Sequence, residues 1–309
     1  MRWLLLRRLS QTAVLLAFAL APPQIVSGTL AGSLWFGAVP LTDPFAALQA
    51  LLATGAVSAS GAVGALIVAA FLALLGGRAF CAWICPLNMV TDLADAVHRR
   101  LFPARAHWLR IDRRARHAVA IAVLAGSAAG GLVLWEAVNP ITWLQRSLAA
   151  GTVAALWIAG AVFTFDLLLV RHGWCGHLCP VGAFYGWLGR GRRLAIAVRD
   201  RRACDDCGRC FSVCAEPQVI APALRARSDE GGVIDHPDCT LCGRCVEVCP
   251  PRVFALAVRS PAASAANARR GPTDASTGGR QGAAHATVAG DDSLTAAAIG
   301  AAAQRRSIQ

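Results

Sequence analysis

Eight cysteines stand in two runs of the same order. Cys204, Cys207, Cys210 and Cys214 are separated by two, two and three residues, and Cys239, Cys242, Cys245 and Cys249 repeat those gaps 35 residues later, with Pro250 behind the last. Three thiolates at two-residue gaps can wrap three corners of one 4Fe-4S cubane, while the fourth, beyond a three-residue gap, points to a second cluster. The spacing therefore assigns Cys204, Cys207, Cys210 and Cys249 to one cluster, and Cys239, Cys242, Cys245 and Cys214 to the other. Paired Cys-x2-Cys also suits tetrahedral zinc, but eight cysteines in a four-plus-four order weigh against it. Ala215 stands where a proline often follows the fourth cysteine, which alters loop stiffness rather than ligation. Two adjacent centres with no nucleotide fingerprint, serine triad or hydrolase motif beside them are suited to relaying electrons.

The other four cysteines form two copies of Cys-x3-Cys-Pro, FCAWICP at Phe80 to Pro86 and HGWCGHLCP at His172 to Pro180, each behind an apolar run. Three intervening residues put two thiols one helical turn apart on the same face. Cys81, Cys85, Cys175 and Cys179 could together hold an additional metal or cluster, cycle as dithiols, contact a partner, or fill small packing positions. Pro86 and Pro180 also end or kink a helix on their own account.

The chain has 309 residues, 56% of them hydrophobic, and a positive mean hydropathy of +0.50, which together describe an integral membrane protein. Spans of about 20 residues cross a bilayer, and hydropathy places four of them near residues 9–27, 57–75, 118–138 and 152–170. The first is read as a retained helix rather than a signal peptide, because no small-x-small site follows its apolar core. All 30 basic residues are arginine, against 18 acidic ones. They sit in blocks between apolar runs rather than on one aromatic-interleaved face, which excludes a nucleic-acid partner. Their asymmetry puts the loop at 76–117 and both termini on the cytoplasmic side of the inner membrane, in a multi-pass arrangement. Both Cys-x3-Cys-Pro motifs are then expected to emerge on the cytoplasmic face.

The expected fold is an α-helical membrane protein. Residues 1–188 form four transmembrane helices as two hairpins related by a loose repeat, and 189–258 form a small α+β double 4Fe-4S domain. Residues 217–238 are a surface excursion in that domain, and 259–309 are a disordered tail too poor in large apolar residues to bury a core. Ionisable residues in or near spans prompt a functional question. Asp166 near the end of span four, Glu136 at the far end of span three, and His172 and His177 around Cys175 are candidates for a proton or quinol site. Asp166 pairing with Arg171 and a solvated Glu136 are the structural alternatives.

The stretches VPLTDP (39–44), FCAWICPLN (80–88), WEAVNP (135–140) and HGWCGHLCPVGAFYG (172–186), joined to the duplicate cysteine run, resemble the NapH family over roughly residues 4–258. MauN-type proteins of methylamine utilisation share the frame. Polyferredoxins associated with nitrous-oxide reductase and with oxidase maturation share it more distantly. The resemblance implies a ferredoxin-type membrane component of a quinol dehydrogenase that oxidises quinol from the membrane pool and passes electrons toward a periplasmic nitrate reductase. It further implies a NapG-type iron-sulfur partner and a membrane-anchored multihaem cytochrome. A maturation-type role serving another periplasmic redox enzyme is the alternative.

Overall fold

The computed structural model describes residues 2–102, 109, 111–225 and 232–259; the tail expected at 259–309 lies, beyond Arg259, outside the described residues. Contacts divide the chain into two units. The first holds residues 1–192 and the short segment Asp235–Cys242, and the second holds Arg193–Ile234 and the residues from Gly243 onward.

The first unit is mostly helical. Helix α1 (Arg2–Leu20) leads into an antiparallel meander of β1 (Val26–Thr29), β2 (Gly32–Trp35) and β3 (Val39–Thr42), in which Val26 faces Trp35 and Leu34 faces Pro40. Then come α2 (Pro44–Thr54), α3 (Ala59–Leu75), α4 (Ala79–Trp83) and α5 (Leu87–Leu101). They are followed by α6 (Ala115–Gly130), α7 (Leu134–Val138), α8 (Pro140–Ala149), α9 (Ala154–Thr164) and α10 (Pro180–Leu188).

Helix α2 begins where Asp43 accepts a hydrogen bond from Phe45 N with Pro44 in the first turn. Helix α8 begins the same way, Asn139 accepting from Ile141 N ahead of Pro140. A short polar acceptor and a proline whose missing N–H costs nothing there make a strong helix start. Each half of the unit thus runs from a proline-started helix (α2, α8) to an apolar helix (α3, α9), a cysteine motif, and a further helix starting at or just after a proline (α5, α10).

Several elements differ from expectation. Helix α1 starts at Arg2 rather than residue 9 and stops at Leu20, because Pro22 and Pro23 cannot continue it and its arginines bond inside the unit. Arg7 donates to Ala82 O at 3.1 Å, Asn88 Oδ1 at 2.8 Å and Asp92 Oδ2 at 3.2 Å, and Gln11 donates to the carbonyls of Ala82 and Cys85. Helix α6 ends at Gly131, whose φ of 64° is left-handed, so residues 134–138 form a separate turn. The stretches expected as loops at 28–56 and 139–151 carry the meander, α2 and α8. Among the described residues only α1 is both long and apolar enough to cross a membrane alone; α3 has 17 residues and α6 has 16.

The second unit is built on a three-stranded antiparallel sheet, β5 (Val233–Ile234), β4 (Leu194–Val198) and β6 (Phe254–Val258), with β4 central. Ala195 pairs with Ala257, and Ile196 pairs with both Leu256 and Ile234. Ile196, Ile220, Ile234 and Val253 form its interior. Short helices α11 (Arg209–Val213) and α13 (Arg244–Val248) pack on each other, and Arg244 Nη1 donates to Val213 O at 3.4 Å. The expected surface excursion is partly core, because α12 (Ile220–Arg225) buries Ile220 and Ala223, and Asp235–Cys242 belongs to the first unit.

Candidate functional site

The two cysteine runs adopt the same local shape. In Cys204-Asp-Asp-Cys207-Gly-Arg-Cys210, Asp206 has a φ of 51° and Gly208 a φ of 70°. In Cys239-Thr-Leu-Cys242-Gly-Arg-Cys245, Leu241 has a φ of 53° and Gly243 a φ of 71°. Left-handed residues on both sides of the second cysteine curl the chain around it, and glycine takes the second such position without a Cβ penalty. The next helix, α11 or α13, then carries the third cysteine.

Cys204, Cys207, Cys210 and Cys249 line one small cavity together with Phe211, Leu224 and Phe254. Three of these cysteines come from the first run and the fourth from the end of the second. Burial pushes the Cys210 thiol up to about 11 and raises Cys204 and Cys207 as well. No three Cys, His, Asp or Glu side chains among the described residues converge tightly enough to hold a single ion.

In the first unit the segment 238–242, which carries Cys239 and Cys242, is held by hydrogen bonds to its backbone. Arg78 Nη1 donates to Asp238 O at 3.1 Å, Arg192 Nη1 to Cys239 O at 3.2 Å and Trp83 Nε1 to Leu241 O at 3.2 Å. Arg116 Nη2 pairs with Asp238 Oδ2 at 2.5 Å, with both side chains largely buried. Burial raises the Cys239 thiol, while the charges of Arg192 and Arg78 act in the opposite direction.

Within the Cys-x3-Cys-Pro motifs Cys81 and Cys175 are half-buried, and Cys85 and Cys179 are buried. Cys85 and Cys179 lie in two buried apolar clusters, and Phe80 and Trp174 pack against both. Trp174 stacks on Trp135 with centroids 6.3 Å apart. Behind Pro180, Tyr185 donates to Asp43 Oδ1 at 2.9 Å, so α10 meets the start of α2. Cys175 lies within electrostatic range of the other three thiols, and its Sγ is 3.8 Å from Thr91 Oγ1. The four are brought into one region of the unit without converging on one point.

The remaining candidates separate. Asp166 does not pair with Arg171; its Oδ1 accepts from Trp174 N at 2.9 Å, and Arg171 Nε instead reaches Asp95 Oδ1 at 3.1 Å. His172 is buried with its Nε2 3.4 Å from Asp95 Oδ2. His177 is buried between the two cysteines of its motif. Half-buried Glu136 accepts from Asn139 Nδ2 and Thr142 Oγ1. Asp95 was missed. It sits in a stretch followed by His98, Arg99 and Arg100 that reads as solvated, although Thr91, Asp92, Asp95 and His98 share one helix face and are all buried.

Two family profiles match the chain, one described as a 4Fe-4S binding domain at residues 57–105 and again at 150–197, the other as a 4Fe-4S dicluster domain at 203–253. The ferredoxin-type protein NapH of Haemophilus influenzae is 41% identical over 261 residues, covering 84% of this chain and 90% of its own length. NapH of Escherichia coli is 45% identical over 74% of this chain and 80% of its own length. The methylamine utilization ferredoxin-type protein MauN of Methylorubrum extorquens is 46% identical over 72% and 78%. This chain belongs to the NapH/MauN ferredoxin-type family. No solved structure matches it.

Membership makes the chain a ferredoxin-type iron-sulfur electron-transfer protein whose dicluster region carries 4Fe-4S groups. When bound, such a group supplies one-electron storage at low potential. The protein's own part is to hold the thiols, exclude water with Phe211 and Phe254, and place arginine charge beside Cys239. One profile matches both halves of the first unit, and each matched range contains one Cys-x3-Cys-Pro motif.

Proposed function

We propose that this protein is the membrane-bound electron-transfer subunit of a quinol dehydrogenase, oxidising quinol and relaying electrons through two 4Fe-4S clusters toward a periplasmic nitrate reductase. One cluster takes Cys204, Cys207, Cys210 and Cys249, and the other Cys239, Cys242, Cys245 and Cys214. The observation that carries the reading is the cavity that gathers Cys249 with the three cysteines of the other run, the crossed ligation a two-cluster relay needs.

The membrane placement has its own support. Leu5, Leu9, Leu66, Phe71, Ile121, Leu156 and Trp157 are all exposed, on α1, α3, α6 and α9. Water would penalise that many large apolar side chains, and lipid does not. We assign α1, α3, α6 and α9 with its following turn as the four crossing segments, with both termini on the cytoplasmic side. At 16 or 17 residues, α3 and α6 reach only about 25 Å, short enough to call for local bilayer thinning. The partners are the quinol pool, a NapG-type iron-sulfur protein and a membrane-anchored multihaem cytochrome.

A second reading is supported by the equal likeness to MauN, in which the same relay serves methylamine utilisation or the assembly of another periplasmic redox enzyme. To test the first, the full chain with its clusters is placed in liposomes, a hydroquinone is added, and the visible absorbance of the clusters is followed with the iron-sulfur partner present. Bleaching on the addition is the expected result. Clusters that stay oxidised overturn the quinol reading. A knockout strain whose nitrate reductase is cofactor-deficient, rather than starved of electrons, favours the assembly role.

A further inference from the structure

Between α9 and the second Cys-x3-Cys-Pro motif the backbone departs from regular helix twice. Residues Phe165–Leu169 form one π turn and Trp174–Leu178 another, closed by Val170 N to Phe165 O at 3.3 Å and Cys179 N to Trp174 O at 2.9 Å. Such turns are rare and gather at functional sites. Between them His172 has a φ of 48°, a left-handed conformation uncommon for a residue with a side chain. The fold-back is tight enough that a Cβ at Gly173 would lie 2.5 Å from Phe165 Cε1. Strain of this kind persists only where the surroundings impose it.

What the strain achieves is the burial of two polar side chains with open valences. His172 and Asp166 are each 1% exposed, and neither His172 Nδ1 nor Asp166 Oδ2 has a hydrogen-bond partner. At the other ends, Asp166 Oδ1 accepts from Trp174 N, and His172 Nε2, which makes no hydrogen bond, lies at ion-pair distance, 3.4 Å, from Asp95 Oδ2. A carboxylate beside Nε2 favours the Nε2–H tautomer, which leaves Nδ1 as the basic nitrogen, and it stabilises the imidazolium once Nδ1 is protonated. Asp95 also pairs with Arg171 and Arg99, whose side chains are partly exposed, so this set reaches from the interior to the surface of the unit. The other titratable groups facing it are His98, whose Nδ1 lies 2.7 Å from Leu167 O, and Cys175, which interacts electrostatically with Asp166.

We infer that His172 Nδ1 and Asp166 Oδ2 are the proton acceptors for hydroquinone oxidation in this protein, with Asp95 as the residue that orients the imidazole and returns the proton to water. The inference deepens the quinol reading above and rests on it. In the step, the two O–H bonds of the hydroquinone break and a quinone forms. Two protons go to Nδ1 and Oδ2, and two electrons leave one at a time for the two 4Fe-4S clusters, each of which accepts one. The two unpartnered basic atoms match the two protons, and Trp174, which donates to Asp166, stacks beside the cysteine region that the electrons must cross.

The test uses the full-length protein in detergent with its clusters in place, and duroquinol as the hydroquinone. His172→Asn suits the left-handed backbone, and Asp166→Asn keeps the carbonyl oxygen that Trp174 N requires. Cluster bleaching by duroquinol is expected to slow by about a hundredfold in either variant. Bleaching by dithionite, which needs no proton acceptor, should keep its wild-type rate. In His172→Gly, imidazole added to the buffer should restore the duroquinol rate. Wild-type duroquinol rates in both substituted proteins overturn the inference and leave the quinol reading standing. Equal slowing with dithionite also overturns it, since the role would then be structural. A wild-type protein that dithionite bleaches and duroquinol does not overturns the quinol reading, and this inference with it.

Discussion

Arg78 donates from Nη1 to the backbone oxygen of Asp238 at 3.1 Å, tying the start of the first Cys-x3-Cys-Pro segment to the residue before Cys239. The Nη2 of the same guanidinium donates to Cys175 O at 3.2 Å. One buried side chain therefore bridges the motif of the second half and the loop of a proposed cluster ligand, using the planar fork that lysine lacks.

Arg78→Met is expected to release the 238–242 segment and empty the cluster that takes Cys239. Iron per chain should fall from about eight to about four, with the cavity of Cys204, Cys207, Cys210 and Cys249 still loaded. Iron analysis with electron paramagnetic resonance of the reduced protein checks this. Full iron in the variant would remove Arg78 from any part in holding that loop.

Cys81→Ala and Cys175→Ala are expected to stop electron flow from hydroquinone to the clusters while leaving iron per chain in the dicluster region unchanged. The measurement is hydroquinone-driven bleaching beside iron content. Unimpaired flow would reduce the four thiols to packing residues.

Arg7→Met should destabilise the first unit by about 3 to 5 kcal/mol, because it leaves a buried carboxylate at Asp92 short of a partner. Arg8 also pairs with Asp92, but its side chain is 27% exposed, and Arg8→Met should cost under about 1 kcal/mol. Denaturant unfolding in detergent distinguishes the two.

Burial alone would raise the Asp95 carboxyl, but His172 beside it and the charges of Arg171 and Arg99 together hold it well below the usual carboxylate range. The unfolded chain then binds the Asp95 proton more readily than the folded one. The stability this contributes is present above the ordinary carboxylate pKa of about 3.9 and is lost as pH falls below it. Acid unfolding of Asp95→Asn should show a shallower pH dependence in that range, on a lower overall stability.

The cluster region was legible because its chemistry is written in local spacing. Gaps of two and three residues, with glycine after the second cysteine, set the local loop shape in both runs, while the anchoring of the second loop by Arg78, Arg192 and Trp83 lies outside that pattern. The packing around Cys85 and Cys179 was not legible. It depends on meetings such as Tyr185 with Asp43, 142 positions apart, which no local pattern encodes. Asp43-Pro44 and Asn139-Pro140 stood in view as family stretches, yet their shared work as helix starts needed the backbone. Asp95 was hidden by its neighbours. Helix α5 exposes Leu93 and Leu101 while burying Asp92 and Asp95, which reverses the polarity a water-soluble helix would show.

The anchoring of α1 sets a timetable for biosynthesis. Arg7 and its carboxylate partner Asp92 are 85 positions apart, and a ribosome adding about 5 to 20 residues per second makes the first helix wait roughly 4 to 17 s before Asp92 exists. Through that interval Arg7 is synthesised ahead of the carboxylate it pairs with in the folded unit.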